Sequence, residues 1–312
     1  MNSNSHPDVK PLSADRAAQL MRLATYASVS VAAVLIVAKF VAWMMTDSVS
    51  LMSTLLDSLL DAAASLVNLF AVRHALQPAD AEHRFGHGKA EPLAGLAQAA
   101  FIMGSGLFLL IEAGHRLISP RAIENSDIGM MVMVFAIVLT VFLVAFQRYV
   151  VKKTGSVAIR ADSAHYQMDV LVNASVILSL FLSAGMGWTL ADPLFAIAIA
   201  AYIAYGAWSI GMDSLHHLMD RELPDEDRDK IKGLALSEEG VIDMHDLRTR
   251  QSGTQVFIQL HLEMSPEIPL LDAHIISEAV MGKIEAAFPH AEVLIHEDPA
   301  GVDEHRSDFE QS

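Results

Sequence analysis

From about residue 24 the chain runs through six apolar stretches, near 24–46, 50–76, 92–118, 127–150, 159–184 and 189–211. Each is long enough to cross roughly 30 Å of hydrocarbon at about 20 residues per helical span. From residue 213 the texture changes to short elements, opened by the turn signal Leu223-Pro224-Asp225. Residues 225–237 read as a helix, 241–249 as a strand and 254–263 as a second strand, whose Val256, Ile258, Leu260 and Leu262 alternate onto one face. Residues 271–288 read as a helix with Ile276, Val280 and Ile284 at i, i+4 spacing, and 291–296 as a last strand. The pattern predicts an α-helical membrane protein with six transmembrane helices and a C-terminal α+β domain of order αββαβ, one sheet covered by two helices. The divisions are a lead-in at 1–23, the six-helix domain at 24–212, the α+β domain at 213–300 and a polar tail at 301–312.

Composition supports a bilayer as the solvent: 53% of the 312 residues are hydrophobic, 19% are charged, and the mean hydropathy is +0.36. The net charge of −16 is lopsided, because residues 213–312 hold 8 Lys/Arg against 23 Asp/Glu, leaving 13 against 14 in the rest. An acidic soluble domain of this kind repels nucleic acid and draws cations, so a nucleic-acid partner is excluded. Lys10, Arg16, Arg22, Arg73, Arg84, Lys89, Arg148, Lys152, Lys153 and Arg160 flank one side of the spans, against Arg116 and Arg121 on the other. That bias predicts cytoplasmic N- and C-termini. Residues 1–22 lack the apolar core of a secretory signal and read as a cytoplasmic lead-in. The chain has no cysteine, so any metal must be held by imidazole and carboxylate.

Two spans carry such groups. In Leu-Leu-Asp-Ser-Leu-Leu-Asp of the second, Asp57 and Asp61 are four apart and share a helical face, and in the fifth His165 and Asp169 do the same. A carboxylate deep in a span costs roughly 2.5–3.5 kcal/mol on insertion scales, so two such pairs mark function. Facing each other, they offer one nitrogen and three carboxylates, a four-coordinate set that Zn²⁺ accepts. Asp162 shares the His165 face, either as a further ligand or as a solvated residue of the inner vestibule. Between the second and third spans, Asp80, His83 and His87 could close another metal site, with Gly86 and Gly88 permitting tight turns, or could belong to a plain polar loop. In the C-terminal domain, His245, His261, His274, His296 and Asp298 make a metal cluster plausible, His261 and His274 lying off the apolar faces of their elements.

The segments Leu56-Asp-Ser-Leu-Leu-Asp61, Phe85-Gly-His-Gly-Lys-Ala-Glu91, Ala161-Asp-Ser-Ala-His-Tyr-Gln-Met-Asp169, His245-Asp-Leu-Arg-Thr-Arg-Gln251 and Ile295-His-Glu-Asp-Pro299 together resemble the cation diffusion facilitators, in particular their bacterial zinc and iron efflux pumps. The resemblance covers almost the whole chain. It implies a transport site at Asp57, Asp61, His165 and Asp169, a loop site at Asp80, His83 and His87, and a binuclear cytoplasmic site drawing on His245, His261, His274, His296 and Asp298. It also implies a metallochaperone-like C-terminal fold, an inner-membrane location, and a homodimer in which Lys89 pairs with Asp220.

The expected activity is secondary active transport: efflux of Zn²⁺ in exchange for protons by alternating access, with Cd²⁺, Fe²⁺, Co²⁺ and Mn²⁺ as further candidate ions. A membrane metal sensor that transports nothing is the alternative, but it needs no ligands at bilayer depth. A membrane hydrolase is disfavoured because no nucleophile with a base partner and no HExxH signature is present.

Overall fold

The structure, a computed structural model, describes residues 14–47, 49–118, 127–186 and 191–302. The first thirteen residues, Arg121 and the tail from residue 303, including His305, lie outside them. Two compact units emerge among the described residues, Ala17–Leu215 and a second one formed by residues 216–302 with residues 14–16.

The first unit holds six long helices, α1 (Ala14–Thr46), α2 (Val49–Ala75), α3 (Ala90–Ile118), α4 (Asp127–Thr154), α5 (Val157–Met186) and α6 (Ala191–Leu218). Among the described residues, five are long and apolar enough to cross a membrane: Asp15–Thr46, Leu51–Ala75, Ala90–His115, Ile128–Thr154 and Pro193–Leu218. Of the six expected spans, five meet this measure among the described residues. The sixth helix, α5, carries Arg160, Asp162, His165, Gln167 and Asp169 in its first half, and only part of its apolar second half is described.

Large side chains such as Met44, Phe70, Phe108, Phe142, Phe181 and Trp208 stand exposed on these helices, as hydrocarbon solvent permits and water does not. Inside, Met21 and Ala24 of α1 pack with Val72 of α2, Ala94 of α3, Val150 of α4 and Ala158 and Ile159 of α5. Small residues allow close approach where helices meet. A Cβ at Gly95 of α3 would lie 2.7 Å from Ser214 Oγ of α6 and 3.0 Å from a Val157 methyl of α5. α5 packs most extensively on α4 and α3, and it also touches α2.

The second unit follows the expected order, α7 (Asp225–Leu236), β1 (Asp243–Ser252), β2 (Gln255–Met264), α8 (Leu270–Ala287) and β3 (Ala291–Pro299). Acidic Asp225, Glu226 and Asp227 in the first turn of α7 complement the helix dipole. The sheet order is β1-β2-β3, antiparallel across the hairpin and parallel after the α8 crossover. Gly253, at φ +63°, supplies the left-handed residue the two-residue hairpin loop requires. Ile258, Leu260 and Leu262 of β2 pack with Ile231 and Ala235 of α7 and with Ala273, Val280 and Ile284 of α8. Each large aliphatic side chain so buried contributes about 1.5–3 kcal/mol. Strand alternation consequently turns His261 and Glu263 to the opposite face. β3 runs three residues past its expected end, which places Asp298 on the strand.

Candidate metal centres

In the helical unit, Asp61 of α2 meets His165 and Asp169 of α5, with one ligand atom from each lying within 4.8 Å of the others. His165 is 1% exposed, and its Nε2 lies 3.0 Å from Asp61 Oδ1, so the pair shares a hydrogen bond. Phe101 and Tyr166 set their rings against the imidazole edge-on, at centroid distances of 5.6 Å. Asp57, the fourth expected member, is exposed one turn along α2 and is not part of this group. Asp162 is buried and not solvated as one reading held. It accepts hydrogen bonds from Ser28 Oγ at 2.5 Å and Gln147 Nε2 at 2.7 Å, so it is fastened to α1 and α4. Tyr166 adds a bond to Ser65 Oγ at 2.8 Å, tying α5 to α2 as well. These bonds fix the rotation of α5 that aims His165 at Asp61.

The loop after α2 forms a second group from Asp80, His83 and His87. Asp80 Oδ1 accepts the backbone N–H groups of His83 at 2.7 Å and Glu82 at 2.9 Å, and His83 Nδ1 lies 3.3 Å away. His87 Nε2 is 3.4 Å from Asp80 Oδ2. The His83 amide foremost holds the Asp80 carboxyl below the usual carboxylate range. Gly86 adopts φ +74° within the loop, and the His74 ring, which the sequence reading passed over, stands 4.5 Å from that of His87.

In the second unit, sheet register builds the third group. His245 is paired with His261 across the antiparallel ladder, and His261 with His296 across the parallel one, so three imidazoles form a row over three strands. Their ring centroids are separated by 5.2 and 4.7 Å. Two residues further along, Glu263 pairs with Asp298 on the same face. Asp298, buried, is the hub: Oδ2 lies 2.7 Å from His261 Nδ1 and 3.3 Å from His245 Nε2, and Oδ1 lies 3.1 Å from His296 Nε2. Glu263 Oε1 stands 3.4 Å from His245 Nδ1. Glu263 and Asp246, which joins His245 and His261 in a further group, were missed from sequence, although the period-two pattern already set Glu263 beside His261. His274 stands apart, exposed on α8, and belongs to none of these groups. Lys89 precedes α3, and Asp220 follows α6, where it pairs with Arg250 at 3.5 Å.

Two family descriptions match the chain: "Cation efflux transmembrane domain" over residues 25–219 and "Cation efflux protein, cytoplasmic domain" over residues 223–300. The chain is 50% identical over 285 residues to the cation-efflux pump FieF of Yersinia enterocolitica, a match covering 91% of this chain and 95% of that relative. FieF of Yersinia pestis matches with the same identity and coverage. Among solved structures, a zinc form of CzrB is 27% identical, covering 28% of this chain and 99% of its own, at a TM-score of 0.26. A nickel form of the MamM CTD is 22% identical, covering 24% and 98%, at a TM-score of 0.24.

Proposed function

This chain belongs to the cation efflux, or cation diffusion facilitator, family, and from that premise we propose that it exports a divalent transition metal ion, Zn²⁺ foremost, in exchange for protons. The observation that carries this reading is the convergence of Asp61, His165 and Asp169 from α2 and α5 within 4.8 Å inside the helical unit. Oxygen and imidazole donors in this ratio suit Zn²⁺ and Cd²⁺ and accommodate Fe²⁺, Co²⁺ and Mn²⁺. Asp57 joins as the fourth ligand by a modest turn of α2, and α5 serves as the sixth crossing despite its polar first half.

Proton exchange follows from the same atoms. With both His165 nitrogens protonated in the empty site, the hydrogen between Nε2 and Asp61 Oδ1 occupies the lone pair that an ion would need, so metal entry expels that proton and leaves a neutral imidazole, and reprotonation expels the metal. Alternating access opens this group first to the cytoplasm and then outward. The protein acts as a homodimer in the bacterial inner membrane with both termini cytoplasmic, and Lys89 and Asp220 serve as the charge interlock of that dimer. The Asp80/His83/His87 loop and the histidine row, with Glu263 added, bind ions that report cytoplasmic metal load. The row lies on the sheet face opposite α8, so His274 reaches such an ion only when two copies of the chain come together.

Reconstitution tests the proposal. Zinc flux into liposomes should rise with an imposed opposing proton gradient, and flux indifferent to that gradient would remove the exchange from the reading. Flux with no metal selectivity at all would remove the site.

A further inference from the structure

A lysine stands where an apolar helix has least use for one. Lys39, in the middle of the apolar run of α1, extends its ammonium to α2, where Nζ donates to Ser58 Oγ at 2.6 Å and to the Thr54 carbonyl at 3.1 Å. Thr54, Ser58 and Asp61 follow one another at i, i+4 and i+7 along one stripe of α2. The ammonium therefore docks one helical turn from Asp61, on the same face as the metal-binding group. Its charge acts on Asp61, Asp169 and Asp57, all three carboxylates of the proposed site. Ser58 is itself buried, so the docking point is built into the packing of α2.

A surface lysine beside acidic residues signals little, but this one is half-buried within the helical unit and held by two oxygens, where a charge at membrane depth is costly unless matched. Three carboxylates and one ammonium, with a neutral imidazole, leave two negative charges. That deficit is what a divalent cation cancels. We propose that Lys39 is the resident counter-charge of the transport site, a positioning residue that touches no substrate but sets the net charge the ion must meet. Without it the carboxylates would hold a divalent ion too strongly to release it. With it, the loaded site is neutral, and the protons that take the ion's place restore that balance once it leaves, so turnover is fast. The inference rests on the site reading given above.

The experiment measures zinc transport KM and kcat in proteoliposomes for the full chain and for Lys39→Gln, Lys39→Arg and Asp61→Asn. Removing one positive charge from the surroundings of a divalent ion should lower KM on the order of tenfold and lower kcat by a similar factor, because release slows as binding tightens. Lys39→Arg, which keeps the charge, should stay within about twofold in both. A Lys39→Gln protein with unchanged or raised KM overturns the counter-charge. If that variant does not fold, Ser58→Ala, which loosens the docking, must shift KM and kcat downward together, and no shift overturns the inference equally. Asp61→Asn separates the two claims: full flux in Asp61→Asn sinks the site itself, whereas lost flux there with an unaltered Lys39→Gln sinks only the role given to Lys39.

Discussion

The group inside the helical unit and the histidine row of the α+β unit use the same side chains in opposite proportions. Between the helices, one imidazole faces two carboxylates, with a third a turn away. On the sheet, three imidazoles surround a single buried Asp298, with Glu263 beside it. The scaffolds differ as well. The helical group depends on the rotation of α5 against α2, so a small tilt of either helix takes it apart, whereas the row is fixed by hydrogen-bonded register between strands. A site that must release its ion at each cycle is better built on elements that can slide, and one that holds an ion is better built on a sheet. On the proposed function, exchange falls to the first and retention to the second.

The largest effect that bears on this contrast is the loss of Asp61. Displacing a mere supporting partner of a metal ligand costs about 10–100-fold, so Asp61→Ala should lower zinc flux by at least about 100-fold. Metal binding to the row should persist in the same protein, measured by titration in detergent. If both fell together, the two groups would be one system and the contrast would fail.

Next comes the converse. Asp298→Asn removes the hub charge of the row, and zinc affinity there should drop by about 10–100-fold. Flux should change only a few-fold, and the rise in melting temperature on adding zinc should largely vanish. A transport defect as deep as that of Asp61→Ala would show that the row takes part in each cycle.

His165→Asp tests the chemistry of the helical group rather than its existence. Replacing its nitrogen with another carboxylate favours harder ions, and the preference for Zn²⁺ over Mn²⁺ should shift by about tenfold in competition flux. The same change at His261, in a row rich in nitrogen, should leave transport selectivity where it was.

These sites were unevenly legible in sequence. The two i, i+4 pairs were plain because a helix repeats every 3.6 residues, and the strands were plain because theirs repeats every two. The facing of Asp61 toward His165 was not, since it depends on Ser28, Ser65 and Gln147 anchoring α5 from three other helices. Lys39 passed unnoticed for a related reason: a lone lysine in an apolar run reads as a side chain reaching for the membrane edge, and only its bond to Ser58 shows where it goes. In the α+β unit, period two put His261 and Glu263 on one face, but which residue of β3 lies beside His261 is set by the crossover, which no local pattern encodes. His274 looked equivalent to its neighbours because composition does not say which side of the domain a helix covers.

The loop group stands between the two extremes and gives the smallest effect. It is exposed at Asp80 and His83, like a surface loop, yet its backbone wraps Asp80 much as a cap wraps a helix end. Those N–H bonds depress the Asp80 carboxyl, so its contribution to loop order is fully present above the ordinary carboxylate value of about 4 and is lost only as pH falls through its lower folded value. Between pH 5 and 8 the carboxylate therefore stays charged. Zinc affinity of the loop should fall as pH drops from about 7.5 to 5.5, because metal and protons compete for nitrogen ligands in general. Asp80→Asn should weaken zinc binding a few-fold at every pH in that window without altering the slope. Fluorescent chelator competition in a variant lacking Asp298 and Asp61 isolates the loop for this measurement. A slope altered by Asp80→Asn would mean that the carboxylate itself titrates there, and the loop would then resemble the exchanging group between the helices more than the retaining row on the sheet.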